Sequence, residues 1–149
     1  MGRARHPGSM SDSLRTADLV RTGPSAYRAT NVRGATLDLG DGSTPDFTPI
    51  ELLLVALAGC TAVTADPIVS RRAEPATFDV HARADKVRDE HGNHLVDVRL
   101  TFDVAFSGDG AEAARAALDD ALRLAEERLC TVSRTVALGT PTRVEVRDV

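Results

Sequence analysis

From Thr48 to Val63 the chain reads Thr-Pro-Ile-Glu-Leu-Leu-Leu-Val-Ala-Leu-Ala-Gly-Cys-Thr-Ala-Val, and this run constrains the fold more than any other stretch. Thr48 suits an N-cap, Pro49 the first helical position, and Glu51 the third, which together make a capping box. The residues that follow are apolar on nearly every side, so the helix is expected to be buried all round. Ala56, Ala58 and Gly59 are small enough to let another backbone approach closely. Asp66-Pro67 is expected to end or kink the helix near Ala65, with Ile68–Arg72 as a second helical segment. Taken as Ile50–Val63 and interrupted by Glu51, the run is too short to span a bilayer.

The rest of the chain supplies strands and one more helix. Met10–Pro24 reads as a loose arm or a short strand. Ser25–Thr30 and Arg33–Leu39 form a first hairpin with Asn31 near its turn, and Asp41–Pro45 is a loop by composition. In Thr77–Arg88, the residues Phe78, Val80, Ala82 and Ala84 alternate with Asp79, His81 and Arg83. After a turn at His91-Gly92-Asn93, the residues Val96, Val98, Leu100, Phe102, Val104 and Phe106 alternate with charged and polar ones. Two such runs predict a half-buried antiparallel hairpin. Asp109 can cap a helix reaching about Leu129, with Leu118, Leu122, Ala125 and Leu129 as its stripe. On its wet side Asp119, Arg123 and Glu127 stand at spacings of four. Arg143–Val149 reads as a last strand with Val144 and Val146 inward. The element order implies an α+β fold.

Composition narrows the function. The chain of 149 residues reads as one domain, with Met1–Ser9 as a vector-derived leader and residues 10–149 as the domain. A net charge of −4, no Trp and one Tyr argue against nucleic-acid binding. Two cysteines are too few for a secreted disulfide framework, so a cytoplasmic, reducing home is expected. His91 and His94 bracket a turn without a further ligand cluster, His81 lies on the polar side of a strand, and no metal or cofactor is expected.

The cysteines are therefore the residues most able to carry chemistry. Cys60 ends the first apolar run and Cys130 ends the amphipathic one. On the residues alone they fit a pair of inert core thiols better than a redox pair. Cys60 in a buried helix is held back from ionising by desolvation, and Cys130 at a helix C-terminus by the helix dipole. A nucleophilic Cys60 needs a cation from elsewhere: Arg28, Arg33, Arg71, Arg72 or Arg134. Glu51 can serve the capping box or hold such an arginine's guanidinium.

The stretch Thr48–Thr61 resembles the first cysteine motif of the OsmC/Ohr family, the osmotically induced and organic hydroperoxide resistance proteins. Leu129-Cys130-Thr131-Val132-Ser133-Arg134-Thr135 resembles the second, usually Cys-Pro-Val-Ser, with Thr131 in place of proline. The resemblance extends from about Tyr27 to Val146. In the organic hydroperoxide reductases the glutamate stands ten residues before the cysteine. Here that place is Ile50, and Glu51 stands nine before, the pattern of the broader OsmC-like branch. The resemblance implies an intertwined homodimer with antiparallel sheets around a long buried central helix and active sites at the subunit interface. It also implies a thiol peroxidase acting on small organic hydroperoxides, in which Cys60 attacks and Cys130 resolves. An external dithiol, such as a lipoylated protein, restores the pair. The activating arginine comes from the N-terminal hairpin, Arg33 as first choice and Arg28 as second. Rival readings on the same fold are a binding module for an apolar ligand and a thiol sensor.

Overall fold

The computed structural model describes residues 13–148; the expected leader Met1–Ser9 lies outside them. By its internal contacts the chain divides into a unit up to Glu51 and a unit from Leu52 onward.

The first unit is a three-stranded antiparallel sheet in the order β1 (Ala17–Gly23), β2 (Ala26–Asn31), β3 (Thr36–Leu39). The expected hairpin is its β2–β3 half, and the arm before it contributes β1. Asn31 makes the turn, as expected, because its Oδ1 accepts from the N–H groups of Arg33 (2.9 Å) and Ala35 (3.1 Å). This side-chain mimicry of a backbone turn is what Asn does best. Arg28 lies opposite Asp38 in the register. Across the following loop, Gly40 N–H donates to the Phe47 carbonyl at 2.9 Å.

The capping box forms as read. Thr48 N–H donates to Glu51 Oε2 at 2.7 Å, Thr48 Oγ1 to the same oxygen at 2.9 Å, and Glu51 N–H returns to Thr48 Oγ1 at 3.3 Å.

Helix α1 (Pro49–Ser70) follows and corrects three expectations. First, it does not end near Ala65 but continues through Pro67 to Ser70. Proline removes the donor that would meet the Val63 carbonyl, but Val63 is 76% exposed, where water can replace it. Ser70 Oγ donates to Asp66 Oδ1 and Arg72 Nη1 to the Ile68 carbonyl, both at 2.7 Å, which carry the helix to its end. Second, at 22 residues with a mean hydropathy of 2.0 in its most apolar stretch, α1 is long and apolar enough to cross a bilayer by length and composition alone. Third, it is not buried all round. Leu57, Ala58, Thr61, Ala65 and Val69 are covered, while Leu53, Val55 and Val63 are exposed in the single chain. A Cβ on Gly59 would meet open space, so no close backbone approach calls for glycine there in the single chain.

The covered side of α1 packs as a core helix. Ala65 and Val69 join Leu118 and Ala121, with Phe78, Val104 and Phe106 packed against them. The aromatic residues come from β4 (Pro75–Asp89) and β5 (Gly92–Phe106), the expected hairpin. Its pairing slips twice, once near the end between Pro75 and Thr77 and once in the middle. Asp97 has φ 52°, and the pairing slips between Arg83↔Arg99 and Asp85↔Val96. Val96 and Val98, on either side of Asp97, are exposed in the single chain, contrary to the simple alternation.

Helix α2 (Ala111–Leu124) is capped by Gly110, not by Asp109. Gly110 has φ 82° and sits so close to the Arg72 carbonyl that a Cβ would collide with it. Arg123 pairs with Asp120 and Glu127, the first of these in place of Asp119. The helix then widens into a π-turn, Ala125–Leu129. Cys130 N–H reaches back five residues to the Ala125 carbonyl at 2.7 Å. The extra residue in the turn rotates Leu129 out, to 51% exposure, and Cys130 in, to 0%. Thus Leu129 is not part of the core stripe. Helix α3 (Thr131–Ala137) follows at once. The expected C-terminal strand is absent over residues 143–148, where Val144 and Val146 are exposed; a lone strand has no partner for its backbone groups.

Candidate active site

The structure brings Cys60 and Cys130 together within the second unit. Both are free thiols, Cys60 half-buried and Cys130 fully buried. The two thiols lie close enough for each to shift the other's titration.

Cys130 is not at a helix C-terminus alone, as the sequence suggests. It closes the π-turn and is also the N-cap of α3. Its φ of −75° and ψ of 107° are those of an N-cap, and its Sγ takes the place of a Ser or Asp oxygen by accepting from Ser133 N–H at 3.3 Å. Ser133 Oγ lies 3.2 Å from the same sulfur. The backbone N–H groups of Val132 and Thr131 lower the pKa of Cys60 instead.

These placements reverse the electrostatic expectation for Cys130. Burial pushes its thiol up, but hydrogen bonds from Cys60, from the hydroxyl and N–H of Ser133, and from Thr61 outweigh it and hold the thiol below its ordinary value. Burial and the neighbouring Cys130 push the Cys60 thiol up, against the opposing pull of the Val132 and Thr131 N–H groups.

Three further side chains complete the cluster. Thr61, buried beside Cys60 in α1, donates to the Leu57 carbonyl at 3.2 Å and contacts Glu126 Oε1 closely. Ser133 Oγ lies 3.2 Å from the same Glu126 oxygen. Glu126 comes from the π-turn, exposed as a residue but with Oε1 turned inward. Thr61, Glu126 and Ser133 were not singled out from sequence as site residues. A Cys-x-x-Ser pattern at 130–133 carries the spacing of an N-cap and its N3 partner, and that signal was available.

The other sequence candidates belong to the first unit. Arg28 is held by Asp38, with Nε–Oδ1 at 2.7 Å and Nη2–Oδ2 at 2.9 Å; that fork keeps the carboxyl below its ordinary value. Glu51 is engaged by Thr48, whose N–H lowers its pKa. Arg33 uses its backbone N–H in the Asn31 turn, and its guanidinium makes no hydrogen bond or ion pair among the described residues. Of the remaining arginines named, Arg72 is tied to the end of α1. No group of three or more metal-ligating side chains occurs among the described residues.

The chain is 34% identical over 134 residues to the uncharacterized protein Rv2923c of Mycobacterium tuberculosis, a match covering 87% of this chain and 93% of that protein. Its fold matches an OsmC-like protein of unknown function from Vibrio cholerae with a TM-score of 0.70 at 17% identity, covering 83% of this chain and 93% of that one. It also matches the organic hydroperoxide resistance protein OhrB of Bacillus subtilis, with a TM-score of 0.51 at 18% identity over 81% of this chain and 90% of that one. Residues 40–145 match the family model for OsmC-like proteins, and the chain belongs to that family.

Proposed function

We propose that the chain is a thiol peroxidase that reduces small organic hydroperoxides through Cys60 and Cys130. The observation that carries this reading is the juxtaposition of two free cysteines from distant segments, one of them reachable from solvent. A family with a peroxide-related redox role adds support.

Access supports the order. Cys130 is fully buried and Cys60 is not, so Cys60 meets the substrate. Its thiolate attacks the distal oxygen of the hydroperoxide. The O–O bond breaks, the alkoxide takes a proton and leaves as alcohol, and Cys60 becomes a sulfenic acid. Cys130 sulfur then displaces hydroxide, which leaves as water with a second proton, and the S–S bond forms. Two thiols and one hydroperoxide thus give a disulfide, an alcohol and water. An external dithiol, such as a lipoylated protein, returns the pair to thiols by exchange, and no resident cofactor is needed. This chemistry suits a reducing, cytoplasmic setting.

An arginine that lowers the Cys60 pKa and polarises the peroxide completes the proposal. Arg33 is favoured over Arg28, because Arg28 is already forked onto Asp38. A homodimer belongs to the same reading. The uncovered apolar side of α1 and the open space beside Gly59 are what a second copy would cover.

The test adds an alkyl hydroperoxide to the reduced protein and follows peroxide loss and intact mass in wild type, Cys60→Ser and Cys130→Ser. Stoichiometric consumption, loss of two hydrogens in wild type, turnover with a dithiol and no consumption without Cys60 are expected. An inert wild type would sink the proposal; oxidation without turnover under several dithiols would make the chain a sensor.

A further inference from the structure

Glu126 Oε1 lies between two hydroxyls that belong to different segments of the chain. Thr61 Oγ1 comes from α1, next to Cys60, and Ser133 Oγ comes from α3 and donates to it at 3.2 Å. The single Thr61 proton lies between the Leu57 carbonyl and Glu126 as a three-centre bond. Ser133 has two donors and, while Cys130 is a thiol, divides them: its N–H goes to Cys130 Sγ at 3.3 Å and its O–H to Glu126. Thr61, Cys130 and Ser133 are buried, where an acceptor lost to these hydroxyls is not simply replaced by water. Contacts of the two sulfurs aside, Thr61–Glu126 is the one hydrogen bond between α1 and residues 125–137 among the described residues.

We propose that Glu126 is a positioning residue for disulfide closure: it clasps the helix that carries Cys60 to the cap that holds Cys130. This rests on the peroxidase reading only in that the two cysteines close a disulfide. Thr61 follows Cys60 on a continuous helix, so holding Thr61 holds the Cys60 backbone. Ser133 N–H holds Cys130 Sγ, so holding Ser133 holds the second sulfur. Two sulfurs on separate segments meet often only when the relative freedom of the segments is removed in advance, which raises the effective concentration of one at the other. No atom of the clasp is consumed when the S–S bond forms, so it serves the reduced and the oxidised pair alike. What it requires of residue 126 is an oxygen at that reach, not a charge.

The test uses glutathione in place of peroxide. One glutathione disulfide takes two electrons and two protons from the cysteine pair and leaves as two thiols. The full chain is equilibrated without oxygen across glutathione redox buffers, and the disulfide fraction is read by intact mass after alkylation. Glu126→Ala should need a buffer about tenfold more oxidising, on the scale of one hydrogen bond, which is about 30 mV. Thr61→Val, nearly isosteric, should shift the pair in the same direction, and the double variant no further than the larger single shift. Glu126→Gln keeps the oxygen and should stay closer to wild type than to Glu126→Ala. Circular dichroism checks that each variant is folded, and Thr61→Val with Glu126→Gln carries the test if Glu126→Ala is not. Unmoved potentials in Glu126→Ala and Thr61→Val, a Glu126→Gln as shifted as Glu126→Ala, or a wild type that closes no disulfide would overturn the clasp. The expected shifts in a chain that consumes no peroxide would remove the peroxidase and keep the clasp.

Discussion

Cys130 N–H donates to the Ala125 carbonyl at 2.7 Å, five residues back and not four. That one wide turn exchanges the places of two neighbours, sending Leu129 outward and Cys130 into the interior. A π-turn costs hydrogen-bond geometry and tends to be found where a side chain must be aimed. Here it aims both Cys130 and Glu126 at the same cluster.

The turn makes a prediction about stability. Leu118, in the core cluster, and Leu129 would belong to the same stripe on a regular helix. Leu118→Ala should cost about 2–5 kcal/mol, as for a buried Leu. Leu129→Ala should cost less than about 1 kcal/mol, as at an exposed position. Urea melts of the two variants under one buffer measure the difference, and equal losses would contradict the π-turn.

The capping box carries a second prediction. Thr48→Ala should lose about 1 kcal/mol, the usual worth of an N-cap. Glu51 is held below its ordinary value by the Thr48 N–H. A depressed carboxyl contributes stability above its unfolded pKa and loses it as pH falls through the folded value. Wild type should therefore be more stable than Glu51→Gln near neutrality, and the gap should close on acidification below the usual carboxylate range. Denaturant melts at neutral and acid pH check the sign.

The sulfur pair should titrate in two steps. One thiol is held below its ordinary value and the other above it, and the two steps belong to the pair. Thiolate absorbance of the reduced protein should rise first below the ordinary thiol range and again above it, with a single step in Cys130→Ser. A depressed thiol makes the reduced fold more stable as pH rises through its folded pKa. A raised one loses stability above its unfolded pKa.

The two arginines separate by their engagement. Arg33→Ala should reduce peroxide turnover by about a hundredfold, the scale of a lost charge-stabilising donor. Arg28→Ala should act more weakly, and Asp38→Ala should free Arg28 without abolishing turnover. Initial rates with one alkyl hydroperoxide test the order, and a larger loss at Arg28 would reverse the assignment.

The parts of the fold legible in sequence were those governed by local rules. Thr48 and Glu51 announce their cap by spacing, Asn31 its turn, and Phe78 to Ala84 their inward face by alternation. The failures came where one residue altered a register or a tertiary partner intervened. Asp97 introduces a bulge that no alternation reveals, Gly110 caps α2 because the Arg72 carbonyl lies against it, and Pro67 is tolerated because its helix side is open. The cysteines stood out as residues, and their family motifs drew attention to the pair. Their electrostatics did not, because a π-turn ending in an N-cap makes Cys130 an acceptor of hydrogen bonds. Thr61 and Glu126 are 65 residues apart, and nothing in the spacing of either points to the other.

The exposed side of α1 gives the last prediction. Val55 and Val63 stand eight residues apart on one side of the helix and are both exposed in the single chain. Apolar side chains aligned on a helix are stable in water only when something covers them. If a second copy does so, as the proposed homodimer requires, wild type should sediment as a dimer at micromolar concentration. Val63→Asp would then place a desolvated, unpaired charge in the interface, at a cost large enough to dissociate it. Circular dichroism should be kept near wild type, because Val63 lies outside the core cluster of Ala65, Val69, Leu118 and Ala121. Sedimentation velocity decides the matter. A monomeric wild type would remove the dimer, and a dimer indifferent to Val63→Asp would place its interface elsewhere.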